Sequence, residues 1–236
     1  MNTLEGADRL FLAIHLPETL KNWMAQRIKR IEPLLLFQRW TVKEDLHLTL
    51  LFIGDTQQSE KEMLKEALTA LTKPVELNAF STAPSGFTFT SHRPFGAMTM
   101  HPFDVTLSRS LGIFGHPSSP SVLWAGIDSN PELIALQKKL TEHLRHALPP
   151  SFVERIQDLS PKSRPYRPHI TLARQYRGSS PLDALKLEEA SRQFFYADTT
   201  LHADQLRWSV ETIDLYRSQR NRRPMYERLA SYPLLA

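Results

Sequence analysis

The chain has 236 residues, of which 41% are hydrophobic and 23% charged, a composition typical of a folded globular protein. It contains no cysteine, which excludes disulfides, thiolate metal sites and cysteine nucleophiles. A formal net charge of +4 favours anionic partners such as nucleic acid. The first ten residues show no basic-then-apolar pattern, and no apolar run approaches the roughly 18 residues of a membrane-spanning helix. We therefore expect a cytoplasmic protein without a membrane segment, whose chemistry uses His, Ser, Thr or carboxylate groups.

The beginning of the chain predicts a strand followed by an amphipathic helix. Residues 9–16 form an apolar run, and Pro17 suits the first turn of a helix. The apolar face of that helix consists of Leu20, Trp23, Met24, Ile28 and Ile31. Residues 37–53 are strand-like on both sides of a break at 43–45, and Gly54 and Asp55 are expected to end the second strand in a turn.

A second helix is predicted where Ser59 and Glu62 have the spacing of a capping box. Its buried stripe consists of Met63, Leu64, Ala67, Leu68 and Leu71. The following residues, 75–120, are irregular, because strand-like pieces around 75–80 and 96–100 alternate with Pro, Ser and Gly.

A buried strand and a third helix are predicted next. Residues 121–128 form the strand. The helix has Asn130 as its cap and Pro131 in its first turn, and Pro149 with Pro150 ends it.

The rest of the chain repeats the element order of the first half. A loop over 149–168 leads to another strand, and two further strands are expected near 194–201 and 206–217. The repeated order of strand, helix and strand indicates two similar halves within a single domain, 1–236. It favours an α+β fold with mostly antiparallel sheets.

One short pattern, His-x-Thr between apolar residues, occurs twice, in LHLTLLFIGD at 46–55 and in PHITLA at 168–173. Because alternate residues of a strand point to the same side, His47 and Thr49 share one face, as do His169 and Thr171. The opposite face is predicted to carry Leu46, Leu48, Leu50 and Phe52 in the first copy and Ile170 and Leu172 in the second. If the halves pack against each other, two imidazoles and two hydroxyls converge on one cleft.

Two histidines near neutral pH can supply one protonated and one neutral imidazole. Displacement at phosphorus needs a base that activates water and an acid that protonates the leaving oxygen. Threonine hydroxyls could stabilise the charge that develops on the other phosphate oxygens. The pair of motifs therefore favours phosphoester chemistry.

Two alternatives compete with this interpretation. A single His-x-Thr is usually an ordinary strand position, but two copies among nine histidines should arise by chance in well under ~1% of sequences of this composition. The other alternative is a metal site. Two histidines without a carboxylate at ligand spacing make a poor set of metal ligands. We therefore expect no metal and no cofactor.

LHLTLLFIGD and RPHITLAR resemble the paired motifs of the 2H phosphoesterase superfamily, and their surroundings resemble its RNA 2′,3′-cyclic phosphodiesterase branch, once described as 2′-5′ RNA ligases. Further segments that carry the resemblance are RLFLAIHLPE, RWTVKEDLHLTLLFIGD, PSVLWAGI and IDLYRSQ, followed by Tyr226. The histidines are further apart than is usual in that branch, so we expect insertions near 83–110 and 149–165.

The resemblance implies a bilobed fold, with two pseudo-symmetric sheets around a central cleft and helices outside. It implies hydrolysis of RNA 2′,3′-cyclic phosphate ends to 2′-phosphates, with His47 as proton donor to the departing 3′ oxygen and His169 as the proton acceptor that activates water. Thr49 and Thr171 would hold the phosphate. Because the two motifs are alike, the sequence alone does not decide which histidine is the acid.

Residues near the motifs are candidates for substrate binding. Arg174 follows the second motif and could bind phosphate, although strict strand alternation points it away from His169 unless a bulge intervenes. The other candidates are Arg39, Trp40, Arg167, Tyr166 and Phe11, with Arg164 and Arg177 as an electropositive rim. Trp40 could stack on a base or belong to the core. The basic segment 217–224 is a further candidate for RNA contact.

Three other functions are compatible with the sequence. The same histidines could serve a 2′-5′ RNA ligase or a phosphodiesterase for another cyclic phosphate or a 2′-5′ linkage. The charge would also suit a module that binds RNA ends without turnover. The expected substrates are RNA ends or cyclic nucleotides, and no obligate protein partner is evident.

Overall fold

The computed structural model describes residues 6–72, 101–160, 164–196 and 203–234. The strands among these residues are β1 (Asp8–His15), β2 (Phe37–Trp40), β3 (His47–Thr56), β4 (Phe103–His116), β5 (Ser119–Ile127), β6 (His169–Tyr176), β7 (Arg207–Val210), β8 (Thr212–Ser218) and β9 (Tyr226–Pro233). The α-helices are α1 (Glu18–Ile31), α2 (Gln58–Thr72), α3 (Pro131–Ala147), α4 (Pro150–Val153) and α5 (Ala184–Tyr196).

The strands form an antiparallel sheet in which two halves meet at β3 and β6. The order is β7-β4-β5-β6-β3-β1-β8-β9, with β2 also paired to β6. β3 and β6 are in register at Leu48 and Ile170, whereas β1 and β3 pair from Asp8 to His15. The α+β fold with two halves is therefore confirmed, and this narrow contact joins the halves into one sheet.

The helices cover one face of the sheet and leave the other to the site. Leu10, Leu12 and Ile14 of β1 are buried in the main core, together with the apolar faces of the helices. The alternate residues Phe11 and Ala13 belong to a separate small cluster with Tyr216 and Tyr226. Burying one such aliphatic side chain stabilises the fold by roughly 1.5–3 kcal/mol, so the core face fixes which residues of β1 face the site.

The three long predicted helices are present, with one corrected start. The side chain of Asn130 accepts a hydrogen bond from the Leu133 N–H at 2.7 Å, as its predicted capping role requires. The predicted capping box of α2 is wrong, because the helix begins at Gln58 and Ser59 lies in its first turn. The carboxylate of Glu60 instead accepts the N–H of Gln57 at 2.9 Å.

β3 continues through Thr56, so the predicted turn at Gly54 and Asp55 is wrong. Gly54 has a φ of +93°, and the register with β1 shifts beside it, from Leu10 opposite Gly54 to Phe11 opposite Phe52. The extra residue makes a bulge, and glycine adopts positive φ without steric cost. The strand therefore bends at this point and does not end.

The predicted strand near 194–201 is wrong over its first residues, because Phe194 and Phe195 lie in α5. They are fully buried on the helix together with Ala190, so helix packing overrides the strand preference of aromatic residues. The strand predicted over 206–217 is divided at Glu211 into β7 and β8. β9 was not predicted.

The predicted strand pieces around 75–80 and 96–100 lie outside the described residues. Residues 103–110 belong to β4, which pairs with β5 and β7, and residues 150–159 form α4 and a 3₁₀ turn. The insertions near 83–110 and 149–165 stay predictions. No helix in the described part of the chain is long and apolar enough to cross a membrane.

Candidate active site

The two His-x-Thr motifs lie on adjacent antiparallel strands. Leu48 of β3 is paired with Ile170 of β6, and both are buried. This register places His47 towards Thr171 and His169 towards Thr49 on the opposite face. The two motifs are thus related by an approximate twofold axis, as their similarity predicts.

Backbone carbonyls orient both imidazoles in the same way. The Nδ1–H of His47 donates to the carbonyl of Asp45 at 2.7 Å, and that of His169 donates to the carbonyl of Arg167 at 2.8 Å. A carbonyl only accepts, so Nδ1 carries the proton in each ring and Nε2 is the reactive nitrogen. Nε2 of His47 accepts the Thr49 hydroxyl at 3.0 Å.

An aromatic cage, formed by Phe11, Tyr216 and Tyr226, surrounds His47. Its ring centroids lie 4.9, 6.2 and 5.0 Å from that of His47. Burial lowers the pKa of His47 from the usual 6.5 to about 4; the Asp45 carbonyl opposes this shift, and the nearby Arg174 and His169 add to it. His47 is therefore neutral in the free protein at pH 7.

The environment of His169 is built from different aromatic residues. The ring of Phe114 lies 4.8 Å from His169 in edge contact, and Trp124 lies 6.4 Å away. The guanidinium of Arg167 stacks 4.4 Å above Trp124. Burial lowers the pKa of His169; the Arg167 carbonyl opposes this, while the charges of Arg174 and Arg167 add to it.

A bulge brings Arg174 to the site. The register between β5 and β6 shifts by one residue after Thr171, and Leu172 and Ala173 are both buried on the core face. Arg174 is thereby returned to the site face, where Nη2 lies 3.5 Å from Thr171 Oγ1. Its guanidinium also hydrogen-bonds the hydroxyl of Tyr226.

A one-residue bulge also follows the first motif. The register between β1 and β3 shifts after Thr49, and Leu50 and Leu51 are both buried. Phe52 is therefore turned to the site face, 47% exposed and 6.1 Å from Phe11. The prediction that Phe52 projects to the opposite face is wrong, since it assumed strict alternation.

The other substrate-binding candidates differ in position. Arg39 is exposed and lies opposite Arg174 in the β2–β6 register. Trp40 is half-buried, and its Nε1–H donates to the carbonyl of Phe37 at 3.1 Å, which favours its packing role. Arg177 donates to Gln38 at 2.9 Å. Arg164 is exposed.

Tyr166 connects the two halves. Its hydroxyl donates to the carbonyl of Thr49 at 2.9 Å, and burial raises its pKa. Nearby, the N–H of Phe52 donates to the Asp158 carboxylate at 2.7 Å. Where β3 and β6 separate, residues of the 149–168 loop therefore satisfy the exposed backbone of β3. This arrangement favours a positioning role for Tyr166 over direct substrate contact.

Several site residues were not found from the sequence. Asp45 is buried, and its carboxylate accepts the N–H groups of Met225 and Tyr226 at 2.9 and 3.0 Å, which holds the start of β9 beside His47. In the sequence, the only signal for Asp45 was its position two residues before His47. Phe114 and Trp124 carried no local signal, because they reach His169 through strand pairing. Within the described residues, no group of three or more His, Asp or Glu side chains could hold a metal ion.

The chain is similar in sequence and in fold to several known proteins. A model of the 2'-5' RNA ligase superfamily matches residues 16–222. The chain is 28% identical over 225 residues to a Geobacillus stearothermophilus protein named RNA 2',3'-cyclic phosphodiesterase, covering 95% of this chain but only 57% of that protein. A Bacillus subtilis protein of the same name is 23% identical over 224 residues, 95% of each chain. The solved structure of TT0787 from Thermus thermophilus shares the fold, with a TM-score of 0.65 at 23% identity over 96% of this chain and 97% of that one.

Proposed function

Because the chain belongs to the 2'-5' RNA ligase superfamily, we propose that it hydrolyses the 2′,3′-cyclic phosphate at an RNA end to a 2′-phosphate. The observation that carries the proposal is the antiparallel pairing of two His-x-Thr motifs through Leu48 and Ile170. With both Nδ1 atoms bonded to carbonyls, both Nε2 atoms are available to a phosphate between the strands.

In the proposed reaction, Nε2 of His169 accepts a proton from water while the water oxygen forms a bond to phosphorus. The bond between phosphorus and O3′ breaks, and Nε2–H of His47 gives its proton to O3′, so the phosphate stays on O2′. Thr49, Thr171 and Arg174 hold the other phosphate oxygens. The assignment of acid and base follows the family resemblance, since the approximate twofold axis accommodates either one.

The low pKa of His47 constrains this scheme. The free protein holds His47 neutral, but a proton donor must be protonated when substrate is bound. The cyclic phosphate carries one negative charge, which favours the imidazolium and raises its pKa in the complex. A donor whose pKa in the complex lies near the working pH is suited to general acid catalysis.

The proposal is tested with an oligonucleotide that ends in a 2′,3′-cyclic phosphate, in buffer containing EDTA. His47→Ala and His169→Ala should each lower kcat by at least ~10²-fold, because each removes a positioned proton transfer. The control is His101→Ala, an exposed histidine of the described chain, which should keep the wild-type rate. Full activity in either motif variant, or loss of wild-type activity in EDTA, would contradict the proposal.

The alternatives differ in product. A ligase would join the cyclic phosphate to an added 5′-hydroxyl RNA, a different phosphodiesterase would prefer another cyclic phosphate or a 2′-5′ linkage, and a capture module would bind without multiple turnover. Arg39, Arg167 and Phe11 are proposed to contact the RNA end. A cytoplasmic location and the absence of a cofactor or obligate protein partner stay predictions.

A further inference from the structure

A basic pocket lies beyond the aromatic cage, at the start of β1 and the end of β8. It has a volume of about 410 Å³, and its charged lining residues are Asp8, Arg9, Arg217, Arg220 and Arg222. Two of these arginines are already paired with carboxylates, Arg9 with Asp55 at 4.0 Å and Arg217 with Glu227 at 2.6 Å. This surface is not used by the proposed chemistry.

The single carboxylate is already neutralised by its own partners. Asp8 accepts from Lys61 at 2.6 Å and from Arg217 at 3.2 Å. Arg220 and Arg222 are exposed, and neither forms an ion pair with a carboxylate of the described chain. The pocket therefore offers two guanidiniums to an external anion, and exposed arginines bind phosphate oxygens through paired N–H groups.

The pocket is connected to the active site through one strand. Arg9 is two residues from Phe11 on the same face of β1, about 7 Å along the strand. The exposed Phe52 ring lies on this face as well, 6.1 Å from Phe11. A base stacked on Phe52 would extend the chain towards the pocket.

The loop that carries Arg220 and Arg222 is anchored to the first motif. The N–H of Gln219 donates to the carbonyl of Met225 at 2.7 Å and closes the loop. The Asp45 carboxylate then holds the N–H groups of Met225 and Tyr226, two residues from His47. The position of the pocket relative to the catalytic pair is thus set by hydrogen bonds.

We propose that the basic pocket binds the backbone phosphate of the nucleotide next to the reacting RNA end. This inference rests on the proposed function and adds a length preference to it. A mononucleoside 2′,3′-cyclic phosphate reaches the catalytic histidines only, whereas a trinucleotide with the same end also reaches Arg220 and Arg222.

The test compares these two substrates in the double variant Arg220→Gln/Arg222→Gln. KM for the trinucleotide should rise about tenfold, while kcat/KM for the mononucleoside should stay within about twofold of the wild type. The plot of log kcat/KM for the trinucleotide against log salt should become less steep by about 0.7 for each arginine–phosphate pair that the substitutions remove. The matched control is Lys138→Gln/Lys139→Gln, which removes two exposed charges from α3 and should change neither substrate.

An unchanged KM for the trinucleotide, or an equal loss with both substrates, would overturn the inference. A second measurement decides the matter without turnover: the anisotropy of a fluorescein-labelled trinucleotide with a 3′-phosphate should report binding about tenfold weaker to the arginine variant than to wild type. Equal affinity would also overturn the inference. Absence of hydrolysis of both substrates by the wild type, with this difference in binding retained, would contradict the proposed function and leave the phosphate subsite standing.

Discussion

The aromatic cage makes the stability of the fold depend on pH through His47. In the unfolded chain this histidine titrates near the usual 6.5, whereas in the folded protein burial holds its pKa at about 4. Between these values the unfolded chain binds more protons than the folded one, so the free energy of unfolding falls as pH drops from 6.5 to 4. At about 1.4 kcal/mol per pH unit, the loss from His47 is on the order of 3 kcal/mol.

This loss can be isolated by comparing the wild type with His47→Gln, which does not titrate. Urea unfolding at half-unit steps from pH 7.5 to 4 gives the free energy of unfolding of both proteins. His169 and His15 also have lowered pKa values, chiefly through burial, but they remain in both proteins and cancel in the difference. The wild type should lose on the order of 3 kcal/mol relative to the variant. A difference that is constant across this range would refute the reasoning, and an exposed control, His101→Gln, should follow the wild type.

Three further predictions concern residues that hold the site. Tyr166→Phe removes the bond to the Thr49 carbonyl, so the free energy of unfolding should fall by about 1–3 kcal/mol, measured by urea; an unchanged value would contradict the proposed link between the halves. Asp45→Asn replaces charge-assisted bonds to Met225 and Tyr226, and should cost about 1–2 kcal/mol and raise amide exchange at both residues, whereas unaltered exchange would count against this anchor. Gly112→Ala would place a Cβ against the Trp124 ring, closer than van der Waals contact allows, and should lower the melting temperature by several degrees; a wild-type value would show that this contact is not tight.

The sequence predicted the fold wherever a local pattern was sufficient. α1 and α3 carry clear apolar faces, and the alternation at His47 and His169 predicted their shared surface. The pattern failed at Phe194 and Phe195, where burial on α5 outweighs strand preference, and at Gly54, which forms a bulge within β3. Both outcomes depend on contacts with elements that are distant in the chain, α1 for the two phenylalanines and β1 for Gly54.

The candidate site was likewise predicted only in part from the sequence. Strand alternation placed both histidines and both threonines, but could not decide the direction of Arg174 and misplaced Phe52, because each lies beyond a one-residue bulge. The bond from the Tyr166 hydroxyl to the backbone of the other half was not predicted, and substrate contact by Tyr166 stays a prediction. Asp45 contributes to the site through its hydrogen bond from the N–H of Met225, a residue distant in the chain. No local sequence pattern predicts that contact.

In the proposed reaction, water attacks the cyclic phosphate between His47 and His169, and the bond to O3′ breaks. The most direct measurement is hydrolysis of a trinucleotide 2′,3′-cyclic phosphate in ¹⁸O-labelled water with EDTA, followed by chromatography against 2′- and 3′-phosphate standards and by mass spectrometry. We expect a 2′-phosphate that carries one ¹⁸O atom, formed by the wild type and not by His169→Ala. A 3′-phosphate, an unlabelled product or an active His169→Ala variant would contradict it.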